Sequence, residues 1–517
     1  MQIPAVVELF VSALSDDAPI MHARARVDSN ARATSVRSAR DRARARRSLR
    51  LRTSATPRDD YDPETLFSPA VQRDFLPAHI GEMYGLEKRS SPFAKGGPLW
   101  DWGLGQTFID NRDSVSLNPL RMGGTLDGAS QEDTAFCDER AVRAGARETI
   151  YFDPKTTKAA IVTCGGLCPG LNDVIRTVTT TLEDYGCEEI LGIKYGFRGF
   201  FADDTVSALE RPIKLTSELV NDIHITGGSV LGSSRGGADM PAIVSRIEEM
   251  GIDFLFVIGG NGSHAGALAI DKLCRQRGLT TSVICVPKTI DNDILLLDRT
   301  FGFQTAVDEA VKAIRSANIE ARSADNGVGL VRLMGRQSGF IAMHAALASG
   351  NTDVCLIPEI DCPLEGQGGV LAHIIRIVEK QNHAVVVVAE GAGQEQLGML
   401  GETDASGNPI LQNFAKYLQQ KLRDAKPDVD IKYIDPTYMV RACRTNGSDA
   451  IYCSILGQNA VHAAFAGLSS VTVGMCSGHY VYLPIPPVIS AARTVDPQGR
   501  MFERLRFAIG QPTFSKS

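Results

Sequence analysis

From about Lys158 onward, short apolar runs rich in Val and Ile alternate with longer segments of helical period. Ala159–Thr163, Phe254–Ile258, Ser282–Pro287, Val328–Met334, Val354–Ile357 and Ala384–Ala389 read as buried strands. Leu171–Tyr185, Ser263–Arg277, Ser338–Ala348 and Val370–Lys380 read as helices between them, and Ala306, Ala310, Ile314 and Ala317 recur at three- and four-residue steps on another. Continuously apolar strands separated by helices predict parallel sheets covered on both faces. A core of roughly 350 residues is more than one sheet comfortably organises, so two α/β domains with a cleft between them are expected. The first should span 151–302 and be completed by about 441–480, the second 303–440 and be completed by about 481–517. Residues 56–150 carry Pro and Gly clusters and read as an irregular extension that packs on the body or stays partly disordered.

The composition fits a large globular protein and excludes several classes. The 517 residues are 44% hydrophobic with 54 Lys and Arg against 60 Asp and Glu, too apolar and too weakly charged for a disordered chain. Eleven cysteines, an odd number without a C-x-x-C pair, argue against a disulfide framework or zinc ribbon and for a reducing compartment. No apolar run reaches the roughly 18 residues a spanning helix needs, so no membrane partner is expected.

Charge is unevenly spread. Residues 1–55 hold eleven Arg, no Lys and five acids, a net of +6, which leaves −12 for the rest of a chain whose total is −6. The acidic body argues against a nucleic-acid partner, since phosphate neutralisation needs a basic footprint. Met21–Ala55 is rich in Arg, Ala and Ser with only two acids, the composition of an organelle transit peptide, which points to a plastid; a disordered arm on a cytoplasmic protein is the alternative.

In open α/β sheets ligands sit at the carboxyl ends of the strands, so the residues after each strand carry the candidate chemistry. After the first comes Gly165-Gly166-Leu167-Cys168-Pro169-Gly170, a glycine turn into a helix that could approach a phosphate but lacks the Lys-Ser/Thr of a P-loop. After Phe254–Ile258 comes Gly260-Asn261-Gly262-Ser263, whose N–H groups could cradle phosphate oxygens and whose Ser263 could cap the next helix. The same stretch fits a dinucleotide fingerprint. Its required acid at the end of the next strand is missing, because that strand ends in Pro287-Lys288.

Lys288-Thr289-Ile290-Asp291-Asn292-Asp293 sets two carboxylates two residues apart beside a hydroxyl and a lysine. One carboxylate could deprotonate a sugar hydroxyl while the other organises magnesium, though a plain surface turn has the same composition. Arg235, Arg336 and Arg441 follow strand-like stretches, and Glu390 follows another, where it could accept sugar hydroxyls or cap a loop. His264, His344 and His462 have no second ligand at helical spacing and read as structural; no G-x-S-x-G is present, and Cys164 has no base partner in the sequence.

Taken in order, GGLCPGLN, SRGG, GGNGS, PKTIDND, MGR, EGAG and YMVR resemble the 6-phosphofructokinases, most closely the plant-type ATP-dependent branch, over roughly residues 150–510. The resemblance implies two Rossmann-like three-layer α/β domains beside an irregular N-terminal arm, and phosphorylation of fructose 6-phosphate at its 1-hydroxyl by ATP with magnesium. It places Asp291 as proton acceptor, with Asp293 beside it. Arg235 would bridge the nucleotide phosphates with Gly236 beside it, and Gly165, Gly260, Asn261, Gly262 and Ser263 would line their loops. Thr289, Ile290, Met334, Gly335, Arg336, Glu390, Tyr438 and Arg441 would hold the sugar phosphate, with Lys432 a further contact to its phosphate. It also implies a homodimer or homotetramer.

Two departures bear on this. Many relatives have aspartate where this chain has Asn261, the residue expected to help hold the metal; the plant-type branch shares the asparagine. Pyrophosphate-using relatives pair an aspartate at the Gly262 position with a lysine at the Lys288 position; here Gly262 leaves room for an α-phosphate although Lys288 is present. ATP is therefore the expected donor. A pyrophosphate-dependent enzyme and a catalytically silent regulatory subunit remain alternatives.

Overall fold

The computed structural model describes residues 75–102, 107–117, 139–201, 211–235, 239–398, 403 and 410–515. The Arg-rich arm, much of the 56–150 extension and Gly236 lie outside the described residues.

The strands of the two larger sheets are β1 (Ser114–Ser116), β2 (Arg140–Arg143), β3 (Lys158–Thr163), β4 (Glu189–Ile193), β5 (Ile213–Lys214), β6 (Phe254–Gly259), β7 (Ser282–Pro287), β8 (Gly327–Leu333), β9 (Val354–Leu356), β10 (His383–Ala389), β11 (Asp430–Ile434), β12 (Val471–Cys476) and β13 (His479–Pro484). The helices used below are α1 (Leu171–Tyr185), α2 (Met240–Met250), α3 (Asn261–Gln276), α4 (Phe303–Arg322), α5 (Phe340–Ser349), α6 (Val370–Gln381), α7 (Phe414–Ala425), the short α8 (Thr437–Arg441), α9 (Gly447–Phe465) and α10 (Arg500–Ile509).

They form a nine-stranded sheet in the order β1-β2-β13-β12-β7-β6-β3-β4-β5 and a four-stranded sheet in the order β9-β10-β8-β11. The centre of the first, β12-β7-β6-β3-β4, is parallel, and so is the whole of the second. Every residue of β6 and β7 is buried, which explains their unbroken apolar sequence.

One apolar core runs from the first sheet's Ile161 and Phe256 through Ala310 and Ile314 of α4 and Leu456 and Ala460 of α9 to Val331 and Val387 of the second. Separate clusters cover the far faces, around Val257 and Ile270 on the first sheet and Val386 and Leu418 on the second. The two sheets therefore share a helical layer, which fixes the strand ends that face each other.

Three features differ from the sequence reading. The extension supplies ordered strands: β2 pairs with β13 and with β1, widening the first sheet by two edge strands. The returning chain stays with that sheet through β13, past the expected switch at 480, because β12 and β13 form an antiparallel hairpin in register from Val471 opposite Pro484 to Cys476 opposite His479. Beyond it, Gln511 bonds both to and from the Cys355 backbone, and α10 packs on α5, so the last residues do serve the second sheet. Third, α3 begins at Asn261 with Gly260 as its N-cap and no side-chain cap, so Ser263 sits in its first turn and does not cap it. Among the described residues no helix is long and apolar enough to cross a membrane.

Candidate active site

A cleft of about 840 Å³ opens where the carboxyl ends of β3, β6 and β7 meet those of β8 and β10. Gly165, Arg235, Gly260, Asn261, Gly262, Ser263, Lys288, Thr289, Ile290, Asp291, Asp293, Met334, Arg336, Glu390, Tyr438 and Arg441 all line it. Residues from Gly165 to Arg441 thus reach one cavity because most of them follow a strand, with Arg235 brought in by the bridge between Ser234 and Cys164.

On the first sheet's side, the post-strand segments are stitched together by backbone bonds. Cys164 N–H donates to Ile258 C=O (2.9 Å), Gly165 N–H to Ser234 C=O (2.9 Å) and Lys288 N–H to Gly259 C=O (2.9 Å). Gly165 has φ +89°, open to glycine without strain. A Cβ at Gly166 would lie 3.2 Å from Arg235 Nη2 and 4.0 Å from Arg441 Nη1, so two guanidinium groups from distant segments converge over this loop. Around Gly262 a Cβ would meet nothing within 4 Å, leaving open space at the mouth of α3. His264, one turn in, is buried with Nδ1 3.0 Å from Gly260 C=O and Nε2 2.9 Å from Thr472 Oγ1, the structural role expected of it.

Lys288 is held more tightly than a surface lysine. It is buried, and its Nζ donates to Gly166 C=O at 2.8 Å, so it underpins the first loop. Burial pushes its ammonium below the usual range, with the Arg235 charge acting the same way. Cys164 lines the cleft too, but burial pushes its thiol up to about 12, which leaves it a neutral wall.

The base segment is built as a rigid turn. Asn292 takes φ +57°, Thr300 N–H donates to its side-chain oxygen (2.9 Å), and Thr300 Oγ1 donates to Thr289 C=O (2.7 Å). Asp291 is raised to about 7 by burial first, then by the negative charges of Asp293 and Glu390; the Arg336 backbone N–H and guanidinium pull the other way. A carboxyl titrating near neutrality, facing a cleft, suits proton abstraction from an alcohol.

Three buried oxygens in this region lack any hydrogen-bond partner: Asn261 Oδ1, Asp291 Oδ1 and Asp293 Oδ1. Orphaned oxygen acceptors cost free energy unless something binds them, and oxygen donors of this kind suit a hard divalent cation. No cluster of three His, Cys, Asp or Glu able to hold a metal occurs among the described residues, so phosphate oxygens and water would have to complete such a shell.

On the second sheet's side, Gly391 N–H donates to Gly335 C=O (2.9 Å) and Glu390 N–H to Leu333 C=O (2.8 Å), which locks the two post-strand turns side by side. Gly335 serves the turn and does not line the cleft: its φ is +130°, and a Cβ there would sit 2.4 Å from Ser338 C=O. Lys432 is not brought into the cleft. It lies mid-strand in β11 opposite Gly329, and its Nζ pairs with Asp430 Oδ2 at 2.9 Å on the strand face opposite to Tyr433 and Asp435. Gly166, Leu167, Phe197, Ser234, Met240, Arg332, Gln337 and Thr437 also line the cleft without having been singled out as site residues from the sequence. Of these Gly166, Leu167 and Ser234 lie inside motifs already marked, and Gln337 and Thr437 directly flank two of them.

A cleft between α/β sheets, with glycine loops on one wall, arginines on the other and a near-neutral carboxyl at the base, is the architecture of a phosphoryl-transfer site. The phosphofructokinase family model matches residues 158–464, and the chain belongs to that family. It is 52% identical to the chloroplastic ATP-dependent 6-phosphofructokinase 5 of Arabidopsis thaliana over 79% of this chain and 76% of that protein. It is 43% identical to the ATP-dependent 6-phosphofructokinase of Borreliella burgdorferi over 72% and 86%. Among solved structures, a Pichia pastoris phosphofructokinase aligns with a TM-score of 0.55 at 23% identity over 65% of this chain and 36% of that one. A pyrophosphate-dependent phosphofructokinase from Marinobacter aquaeolei aligns with a TM-score of 0.57 at 20% identity over 70% and 92%. Those two likenesses establish the shared fold.

Proposed function

We propose that the chain phosphorylates fructose 6-phosphate at its 1-hydroxyl with ATP, giving fructose 1,6-bisphosphate. The observation that carries this reading is Asp291: partly buried, raised to about 7, with an unpartnered buried oxygen in a cleft shared by glycine loops and arginines. ATP would lay its phosphates along the Gly165 and Gly260–Ser263 loops, past the open space at Gly262, with Phe197 and Met240 offering apolar surface to the base. Fructose 6-phosphate would lie against Met334, Arg336, Glu390, Tyr438 and Arg441. In the reaction Asp291 takes the proton of the 1-hydroxyl, the freed oxygen attacks the γ-phosphorus, and the bond to the β-phosphate oxygen breaks. Arg235 faces the charge that accumulates on the transferring group; losing one such donor typically costs about 2.7–4 kcal/mol of barrier.

Asn261 and Asp293 are the residues that would hold magnesium, in keeping with their orphaned oxygens, while the orphaned Asp291 oxygen is left for the substrate hydroxyl. Bound magnesium would supply charge neutralisation of the donor phosphates. The neutral amide of Asn261 places more of that task on Asp293 and the phosphates themselves.

Lys288 in the cleft favours the second reading, pyrophosphate as donor. The open surroundings of Gly262 weigh more, since a carboxylate there is what would repel ATP, and Lys288 is already engaged with Gly166. A coupled assay with fructose 6-phosphate and either donor decides: turnover with ATP supports the reading, turnover with pyrophosphate alone overturns it. No turnover with either would favour the silent regulatory subunit. Homo-oligomeric assembly remains part of the proposal, and the names of two chloroplastic Arabidopsis relatives, with the Arg-rich arm, support placement in a plastid over the cytoplasm.

A further inference from the structure

Arg332 belongs to none of the motifs that point to the site, yet it lines the cleft from the last turn of the second sheet's central parallel strand. On one side β10 runs parallel to β8 with Arg332 opposite Val388, so Glu390 lies two residues further along the same strand face. On the other, β11 runs parallel with Val331 opposite Ile434, so Asp435 follows immediately at the strand end. The half-buried guanidinium uses both neighbours: Nη1 donates to Asp435 Oδ2 at 2.9 Å, and Nη2 stands 3.6 Å from Glu390 Oε1.

Each carboxylate leads to a different wall of the sugar side. Glu390 itself faces the cleft. Asp435 accepts, through its other oxygen, the backbone N–H of Thr437 (3.2 Å) and its hydroxyl, fixing the first residue of α8. That short helix carries Tyr438 and Arg441, whose guanidinium carbon stacks 4.8 Å over the Tyr438 ring. A five-residue helix has little stability of its own, so its placement depends on such anchors. A planar fork can engage two carboxylates on opposite sides at once, which a lysine's point charge cannot.

Resting on the proposed reading of the cleft, we infer that Arg332 is a positioning residue. It clamps Glu390 to the Asp435–Thr437 entry of α8 and so sets the width of the fructose 6-phosphate subsite without touching the nucleotide side.

The test is steady-state kinetics of the full-length chain carrying Arg332→Gln, Asp435→Asn and both together, with ATP and fructose 6-phosphate varied in turn and melting temperatures recorded. The expected result is a KM for fructose 6-phosphate raised about tenfold or more in Arg332→Gln, with the KM for ATP within twofold. Asp435→Asn should raise the sugar KM as well, and the double variant should be no worse than Arg332→Gln alone, because both break one linkage. Three outcomes overturn the role: a sugar KM within twofold of wild type, fully multiplicative effects, or both KM values rising together with a fallen melting temperature. A raised sugar KM in Arg332→Gln with Asp435→Asn unchanged would make Arg332 a direct substrate contact and also overturn it. Should Arg332→Gln fail to fold, Arg332→Lys carries the same test, with a sugar-selective KM rise of about three- to tenfold expected and an unchanged KM overturning the role. A wild type inactive on fructose 6-phosphate sinks the reading of the cleft and this inference together, whereas an active wild type with indifferent variants sinks only the inference.

Discussion

Ser338 Oγ donates to the backbone carbonyl of Asp291 at 3.0 Å, so the loop that follows β8 of the second sheet holds the Asp291 turn of the first. Ser338 is buried, and its removal would leave that carbonyl without this partner. Hydrogen bonds of this kind contribute about 0.5–1.5 kcal/mol. Ser338→Ala should therefore lower kcat about two- to tenfold, read at saturating donor and acceptor. An unchanged kcat would mean that the turn keeps its shape without the second sheet.

Donor choice can be tested at Gly262. Its backbone is in an ordinary conformation and a Cβ would meet nothing, so Gly262→Asp should fold with a melting temperature close to wild type. The new carboxylate would face the donor phosphates, and the KM for ATP should rise at least about tenfold, the equivalent of 1.4 kcal/mol of repulsion. ATP kinetics that match the wild type would remove Gly262 from donor selection.

Gly170 tests the packing beneath the first loop. It precedes α1 with φ +104°, and a Cβ would lie 2.5 Å from Cys453 Sγ and 2.9 Å from Phe301 Cδ2. Gly170→Ala combines overpacking with a left-handed residue and should cost about 1–3 kcal/mol, seen as a lower midpoint in denaturant. A midpoint equal to wild type would show that this junction yields more easily than its contacts imply.

His462 gives a pH signature away from the cleft. Burial, helped by the Arg147 charge, lowers it from 6.5 to about 3, with Tyr185 Oη 2.8 Å from Nδ1. Between these values the unfolded chain binds a proton that the folded one refuses, so the contribution of His462 to stability falls as pH drops below 6.5. Relative to His462→Gln, the wild type should lose about 1.4 kcal/mol per pH unit in that window and show a constant difference above pH 7.5. A difference independent of pH, from parallel denaturation curves, would contradict the assignment.

Much of the cleft was legible in the sequence because β3, β6, β7, β8 and β10 announce themselves by unbroken apolar runs, and a parallel sheet delivers whatever follows each strand to one edge. Asp291, Arg336 and Glu390 needed no knowledge of which strands are neighbours. Arg332 did: its meaning lies in Glu390 and Asp435, 58 and 103 positions on, which only the order β10-β8-β11 brings together. Lys432 was misplaced for the complementary reason, since its charge resembles a phosphate ligand while its mid-strand position and facing direction pair it with Asp430. The return of β12 to the first sheet was expected, but not that β13 would carry on with it to Pro484, because nothing local marks where that antiparallel hairpin ends.

In the proposed reaction the Asp291 carboxylate removes the proton from the acceptor's hydroxyl. The direct test is Asp291→Asn, assayed for single-turnover phosphorylation with ATP beside calorimetric binding of fructose 6-phosphate. The variant should bind the sugar phosphate within a few-fold of wild type and lose about 10²–10⁴ in the rate of transfer. Transfer within threefold of wild type, with binding intact, would contradict the account.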